Sequence, residues 1–263
     1  MPGTDNEDYP RLADAARRLA LEAGRTIMAF YRDGTPVETK ADRSPVTEAD
    51  RAADRIIVAG LGAADPRIPV ISEESTASHA LAPPSGGCFW LVDPLDGTRE
   101  FIGRTGEFTV NIALIEDGRP VLGVLHAPAQ GETYVADGLG QAVHVVGNGA
   151  PRRVSARAVP NEGPAVIASR LHRDAETDAY IAKLGPERIE SAGSALKFGL
   201  LARGEADVYP RFGRTMEWDT AAGHAILAAA GGHVRELDGR ELRYGKAGFV
   251  NPPFVACGMD AAR

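Results

Sequence analysis

Two aspartates stand three residues apart in the stretch Asp93-Pro94-Leu95-Asp96-Gly97-Thr98. The apolar run at residues 88–92 predicts a buried strand just before it, which places Asp93 at a strand's carboxyl end. Two carboxylates beside the backbone N–H groups of Gly97 and Thr98 suit a hard cation that in turn holds a phosphate. The alternative interpretation is an Asx turn that caps a short helix starting near Arg99.

Further carboxylates follow or precede other predicted elements. Glu73 comes after the apolar run at residues 68–71, and Asp219 precedes an alanine-rich helical segment. Together with Asp93 and Asp96 they would supply four carboxylates from three separate segments. Carboxylates that lie so near to one another repel unless cations or protons neutralise their charge. Because the set contains oxygen ligands without histidine or cysteine, it favours Mg²⁺ or Mn²⁺ over Zn²⁺.

Three motifs together resemble one enzyme family. They are Glu73-Glu74-Ser75, the 93–98 turn and the stretch from Trp218 to Gly223, and their combination is similar to the inositol monophosphatase superfamily over roughly residues 10–258. The stretches at 97–102 and 106–115 are most similar to the bacterial 3′(2′),5′-bisphosphate nucleotidases of the CysQ type, and further similar stretches lie at 44–47, 193–198 and 209–213. The resemblance implies lithium sensitivity, two or three Mg²⁺ ions with Mn²⁺ as a substitute, and a layered α-β-α-β-α sandwich of the inositol monophosphatase and fructose-1,6-bisphosphatase type.

The resemblance also implies which oxygens bind metal. Four carboxylates and one backbone carbonyl are assigned as ligands: Glu73, Asp93, Leu95, Asp96 and Asp219. Asp93 would bridge two ions, and Glu74 is left with a supporting role. The alternative for Asp219 is the N-cap of a helix at 220–230, and both roles are compatible because a carboxylate has two oxygens.

Thr98 and Asp50 are the catalytic pair that the resemblance implies. In the resembling enzymes a threonine hydroxyl and an aspartate orient a water for in-line attack on phosphorus, without a covalent phosphoenzyme. The alternative for Asp50 is a structural role only, because Thr47-Glu48-Ala49-Asp50 matches a helix capping box.

Substrate contacts are implied mainly in the second half of the chain. The residues are Gly97, Thr98, His172, Ser194, Lys197, Arg211 and Asp219. Ser194 and Lys197 are expected to share one face near the start of a helix at 194–203. Leu171 departs from the resembling enzymes, in which a serine often precedes the histidine. Lys40 matches a lysine near their metal site, and a solvated surface position is the alternative for each of these cations.

The composition fits a globular enzyme of one large or two closely packed domains. The chain has 263 residues, 44% of them hydrophobic and 25% charged, and a net charge of −7. That charge argues against a stable nucleic-acid partner and requires local cations or metal ions to attract a phosphorylated substrate. Cys88 and Cys257 are interpreted as small core residues. No apolar run reaches transmembrane length, and the first ten residues lack signal-peptide character. Both observations favour a cytoplasmic location, with peripheral membrane attachment left open. The sequence also leaves open whether the protein is a monomer or a homodimer.

Periodicity predicts an α+β first half, residues 1–150, and an α/β second half, residues 151–263. On the resemblance, the first half carries most metal ligands, and the second carries the substrate contacts and the last metal ligand. Helices are predicted at 11–31, from 47 through 61, 174–184, 194–203 and 220–230, and strands at 68–72, 88–92, 108–116, 120–127, 132–136, 142–146, 165–169, 188–191 and 206–212.

The function that these observations favour is hydrolysis of the 3′-phosphate of adenosine 3′,5′-bisphosphate. The sulfated precursor 3′-phosphoadenylyl sulfate is a second expected substrate, which would link the enzyme to sulfur assimilation. One alternative is hydrolysis of inositol 1-phosphate by the same residues. Another is a regulatory binding protein that keeps the fold and acts through a partner.

Overall fold

The computed structural model describes residues 7–34, 37–39, 45–74, 87–171 and 173–259. Lys40, Ser44 and His172, which the sequence places near the candidate site, lie outside these ranges. Within them, no helix combines the length and the hydrophobicity needed to cross a lipid bilayer.

Two long helices form where apolar residues recur at helical spacing. α1 spans Tyr9–Asp33 and α2 spans Glu48–Ala64, which confirms both predicted helices. The predicted capping box is also present, because the Thr47 hydroxyl accepts a hydrogen bond from Ala49 N and the Thr47 backbone N–H donates to Asp50. Asp50 is therefore fixed at the first turn of α2.

A mainly antiparallel sheet follows these helices. β1 Val37–Thr39 pairs with β2 Pro45–Thr47 as a separate ribbon. Within the described residues, the larger sheet has seven strands in sequential order. They are β3 Val70–Ser72, β4 Cys88–Asp96, β5 Thr109–Glu116, β6 Arg119–Ala127, β7 Glu132–Ala136, β8 Ala142–Val146 and β9 Arg152–Arg153. Asp117 and Gly118 both have positive φ between β5 and β6, as a tight two-residue hairpin turn requires.

The second half alternates strands and helices, as predicted. Its elements are β10 Ala165–Ser169, α4 Ala175–Leu184, β11 Arg188–Ala192, α5 Leu196–Ala202, β12 Val208–Arg211, α6 Ala221–Ala229, β13 His233–Glu236 and β14 Phe254–Cys257. The short helix α3, Thr98–Ile102, belongs to the first half and follows β4. The described strands form a sheet in the order β11-β10-β12-β14-β13. β10 runs parallel to β11 and β12, and β14 runs antiparallel to both of its neighbours.

The two sheets and the helices stack as five layers. α1 and α2 cover one face of the larger sheet, where Leu12 and Ile57 pack with Trp90. α5 and α6 fill the space between the sheets, and α4 covers the outer face of the smaller one. This arrangement confirms the predicted α-β-α-β-α sandwich. The chain passes from one sheet to the other after β9, and the division into domains at residue 150 stays a prediction.

Several predicted details are corrected by the structure. β4 does not end at Val92 but continues through Asp96, with a shift in its pairing with β5 between Asp93 and Asp96. α5 begins at Leu196, because Ser194 adopts a positive φ of 44° that a helix does not allow. Neither Cys88 nor Cys257 is in a disulfide, and both are only partly buried, although each packs against a core cluster.

Candidate active site

The carboxyl-terminal end of β4 departs from regular pairing with β5, and this irregular stretch carries Asp93 and Asp96. The pairing shift follows Asp93, whose Oδ1 accepts a hydrogen bond from Leu95 N at 3.1 Å. Gly97 then takes a φ of 89°. A Cβ atom there would lie 3.1 Å from Glu107 O and 3.2 Å from Ser194 Cβ, so glycine is needed both for its φ and for space.

One cavity of about 250 Å³ is lined by most of the predicted site residues, which come from both halves of the chain. All five predicted metal ligands line it: Glu73, Asp93, Leu95, Asp96 and Asp219. Glu74 is absent from its lining and interacts electrostatically with Arg51 on α2. The acidic segments that are far apart in sequence therefore meet at one place, as the metal hypothesis requires.

Four carboxylates that line the cavity, Glu73, Asp93, Asp96 and Asp219, form its acidic wall, where burial and mutual repulsion both disfavour negative charge. Burial raises the pKa of Asp96 to about 6; attraction by Lys197 opposes this shift, and repulsion from Glu100 and Glu73 adds to it. Burial, with repulsion from Asp96 and Glu73, also raises the pKa of Asp219 above its ordinary value. Positive charge placed between these groups would relieve the repulsion.

The donor chemistry fits a hard divalent cation. The acidic wall offers carboxylate oxygens and the Leu95 carbonyl, and neither cysteine nor histidine is among the described residues that line the cavity. Across the described residues, no three acidic, histidine or cysteine side chains gather tightly enough to form a ready metal site. The carboxylates thus line the cavity instead of converging on one point.

Asp50 and Thr98 are in direct contact. Thr98 Oγ1 donates to Asp50 Oδ1 at 3.1 Å, and Thr98 lines the cavity. The other carboxylate oxygen of Asp50 accepts from Thr47 N at 2.8 Å and from Thr47 Oγ1 at 2.6 Å. Asp50 is therefore both a capping-box residue and the hydrogen-bond partner of Thr98, so the two interpretations from the sequence are compatible.

Cationic side chains lie in the same cavity as the carboxylates. Lys197 and Arg211 are buried and line it together with Ser194. Burial lowers the pKa of Lys197 to about 8, with attraction by Asp96 opposing the shift and the nearby Arg211 adding to it. Two neighbouring buried cations provide a local positive potential in an otherwise acidic protein.

The ammonium group of Lys197 is held by backbone carbonyls and an aromatic ring. It donates to Ala192 O at 3.3 Å and also to Ser194 O, and it lies 5.0 Å from the ring centroid of Tyr209. Arg211 donates to Arg214 O at 2.9 Å. The prediction that Ser194 and Lys197 share a helix face is wrong, because Ser194 precedes α5.

Asp219 is positioned by a turn before α6. Its Oδ2 accepts from Met216 N at 2.9 Å, and the N-cap of α6 is Thr220. The N-cap prediction for Asp219 is therefore wrong: its carboxylate closes the preceding turn instead of the first helical turn. Buried Glu217 fixes this turn by accepting from Gly245 N at 2.6 Å and Lys246 N at 2.9 Å.

Sequence reasoning missed several residues that line the cavity. They include Glu100, Ser169, Tyr209, Arg214 and Thr215. Tyr209 and Arg214 flank Arg211 on β12 and the loop after it, so their proximity to a predicted contact was the available signal. Ser169 is brought in by the end of β10, which only the sheet topology reveals.

Comparison with known proteins finds the same family relationship over nearly the whole chain. The model of the inositol monophosphatase family matches residues 8–257. The 3′(2′),5′-bisphosphate nucleotidase CysQ of Escherichia coli strain K12 is 46% identical over 248 residues, covering 92% of this chain and 98% of that protein.

Solved structures agree. CysQ from Bacteroides thetaiotaomicron superposes with a TM-score of 0.81 at 41% identity, covering 94% of this chain and 96% of the other. An inositol monophosphatase from Zymomonas mobilis superposes with a TM-score of 0.77 at 31% identity, covering 98% and 95%. The resemblance predicted from the motifs, including that to the CysQ type, is thereby confirmed. The chain belongs to the inositol monophosphatase family.

Proposed function

We propose that this protein is a Mg²⁺-dependent phosphomonoesterase that converts adenosine 3′,5′-bisphosphate to AMP and phosphate, and that 3′-phosphoadenylyl sulfate is a second substrate. The observation that carries the proposal is a single cavity with both an acidic wall and two buried cations, Lys197 and Arg211. A substrate with two phosphates can place one phosphate at the acidic wall, through bound Mg²⁺, and the other against Lys197 and Arg211. The names of the CysQ relatives support this substrate class.

The acidic wall would hold the metal ions. Glu73, Asp93, Asp96, Asp219 and the carbonyl oxygen of Leu95 are the oxygens available for this purpose. Bound divalent ions neutralise phosphate charge and lower the pKa of water. The same ions would offset the burial and the repulsion that raise the pKa of Asp96 and Asp219.

Thr98 and Asp50 would orient the attacking water. Thr98 Oγ1 donates to Asp50 Oδ1 at 3.1 Å, a shorter contact than its 3.4 Å approach to Leu95 O, and its lone pairs are left to accept a hydrogen bond from water. Because α2 fixes Asp50 through the capping box, the direction of this hydroxyl is set before substrate binds. Proton removal by such a positioned pair is general-base catalysis.

The second phosphate would lie against Lys197 and Arg211. Ser194 Oγ is buried and has no hydrogen-bond partner among the described residues, so it suits a ligand oxygen. Inositol 1-phosphate carries one phosphate and would bring no second anion to these cations. The bisphosphate does bring one, and charge-assisted hydrogen bonds to it favour the bisphosphate over the inositol phosphate.

The test compares phosphate release from adenosine 3′,5′-bisphosphate, 3′-phosphoadenylyl sulfate and inositol 1-phosphate, with Mg²⁺ and with a chelator. We expect kcat/KM to be at least about tenfold higher for the bisphosphate, and activity to vanish with the chelator. A tenfold or larger preference for inositol phosphate would assign the other activity. Asp96→Asn should abolish hydrolysis; cellular function that survives this change would instead support a binding role.

A further inference from the structure

One peptide unit beside the cavity is held from both sides. The N–H of Gly193 donates to Glu107 Oε2 at 2.9 Å. The carbonyl oxygen of the same peptide, that of Ala192, accepts from Lys197 Nζ at 3.3 Å and from the backbone N–H of Arg170 at 3.3 Å. The carbonyl that receives the Lys197 ammonium therefore belongs to a peptide whose other end is fixed by Glu107.

Glu107 and Arg170 are themselves joined by two parallel hydrogen bonds. Arg170 Nε donates to Glu107 Oε2 at 2.9 Å and Arg170 Nη2 donates to Glu107 Oε1 at 2.8 Å. Arg170 Nη2 also donates to Ser191 O at 2.9 Å. Although burial opposes it, bonds from Arg170 and Gly193 hold the pKa of Glu107 below its ordinary value.

The backbone at Gly193 packs closely against Glu107 and Glu100. A Cβ atom on Gly193 would lie 2.7 Å from Glu107 O and 2.8 Å from Glu100 Cγ. The next residue, Ser194, holds a φ of 44°, which is unusual for a residue other than glycine. Such a backbone persists only when its surroundings fix it, and the Glu107–Arg170 pair supplies that constraint.

We propose that Glu107 and Arg170 are positioning residues that orient the Ala192–Gly193 peptide and thereby hold Lys197 in the cavity. The proposal rests on the proposed function, in which Lys197 meets the second phosphate. Glu107 lies just before β5 in the first half of the chain and Arg170 just after β10 in the second, so the pair joins the two halves beside the cavity. It thus contributes to selection of a bisphosphate.

The kinetic test uses Glu107→Ala and the charge-swapped double variant with Glu107→Arg and Arg170→Glu. We expect Glu107→Ala to raise KM for adenosine 3′,5′-bisphosphate about tenfold while kcat changes much less, because a charge-assisted hydrogen bond is lost away from the reacting atoms. The swap restores an ion pair but faces Gly193 N–H with a guanidinium, so KM should stay high. A swap that returns KM to the wild-type value would overturn the proposal.

Arg17→Ala serves as the matched control. Arg17 pairs with Asp14 on α1 and its side chain is 41% exposed, close to the 44% of Arg170. We expect it to leave KM unchanged. If Glu107→Ala does not fold, Arg170→Ala makes the same test from the more exposed partner, and an unchanged KM there would contradict the proposal.

A crystal structure of the Glu107→Ala variant separates this proposal from the proposed function. We expect the Ala192–Gly193 peptide to reorient and Lys197 Nζ to move by about 1 Å or more, a displacement of the size that impairs ligand positioning. An unmoved Lys197 would reject the positioning role even if the bisphosphate is the substrate. A moved Lys197 in a protein whose wild type releases no phosphate from the bisphosphate would support the positioning role and reject the proposed function.

Discussion

Asp50 shows how one side chain can carry a structural and a chemical role without conflict. One carboxylate oxygen closes the capping box of α2 through Thr47, and the other receives the hydroxyl of Thr98. A substitution at Asp50 would therefore change the helix start and the candidate catalytic contact together. Thr98 takes no part in the capping box, so substitutions there separate the two effects.

Thr98→Val is predicted to reduce kcat about 100-fold or more with little change in KM, because the methyl group that replaces the hydroxyl cannot orient water. Thr98→Ser keeps a hydroxyl and should retain much more of the activity. Steady-state phosphate release by both variants is the measurement. Thermal unfolding should be similar for the two, and a Thr98→Val enzyme with near wild-type kcat would exclude this hydroxyl from catalysis.

Some residues of the site were predictable and others were not. Glu73, Asp93, Asp96 and Asp219 could be identified because carboxylates next to predicted strand and helix ends are visible in the sequence. The N-cap prediction for Asp219 failed because its carboxylate accepts from Met216 N instead, in a turn fixed by Glu217, whose partners Gly245 and Lys246 are distant in sequence. Glu107 gave no signal, since its partners at 170 and 193 are distant in sequence.

At the scale of elements, the position of α5 depends on its contact with α6. Gly223 lies in α6, and a Cβ atom at that position would be 2.4 Å from the ring of Phe198 on α5. Because α5 also carries Lys197, the close approach of the two helices sets the distance of Lys197 from the sheet. The helical pattern at 194–203 could predict α5, but its true start depends on the turn at Ser194, which tertiary contacts impose.

Gly223→Ala is predicted to destabilise the protein by about 2 kcal/mol, because overpacking outweighs the better helix propensity of alanine. Gly62→Ala in α2 is the matched control, since nothing lies within 4 Å of the added methyl group. That change should stabilise the protein by up to about 1 kcal/mol. Urea unfolding followed by circular dichroism measures both, and equal shifts of the same sign would contradict the packing argument.

At the scale of the whole molecule, two buried histidines link stability to pH. His126 lies in the larger sheet and His224 in α6. Burial lowers the pKa of His126 to about 4 and that of His224 to about 3, against an ordinary value of 6.5. Both are neutral in the folded protein at pH values where the unfolded chain already binds protons. The folded state therefore loses stability as the pH falls below the ordinary value.

His224→Phe is predicted to remove part of this pH dependence. Between about pH 7.5 and about pH 5, the unfolded chain gains a proton at His224 while the folded state does not, which costs the wild type about 2 kcal/mol. Phenylalanine cannot bind that proton. The variant also loses the contact between His224 Nδ1 and Tyr244 Oη, at 3.1 Å, and this loss lowers its stability equally at both pH values.

The measurement is the free energy of unfolding of both proteins at the two pH values. His126 and the acidic wall, where protonation of Asp96 acts in the opposite direction, are present in both proteins and cancel in the comparison. The wild type should therefore lose about 2 kcal/mol more than His224→Phe on acidification. Parallel losses would mean that His224 binds its proton in the folded state. The burial of His224 between the two sheets opposes this, because a charged imidazolium there would lack both solvent and an acidic partner.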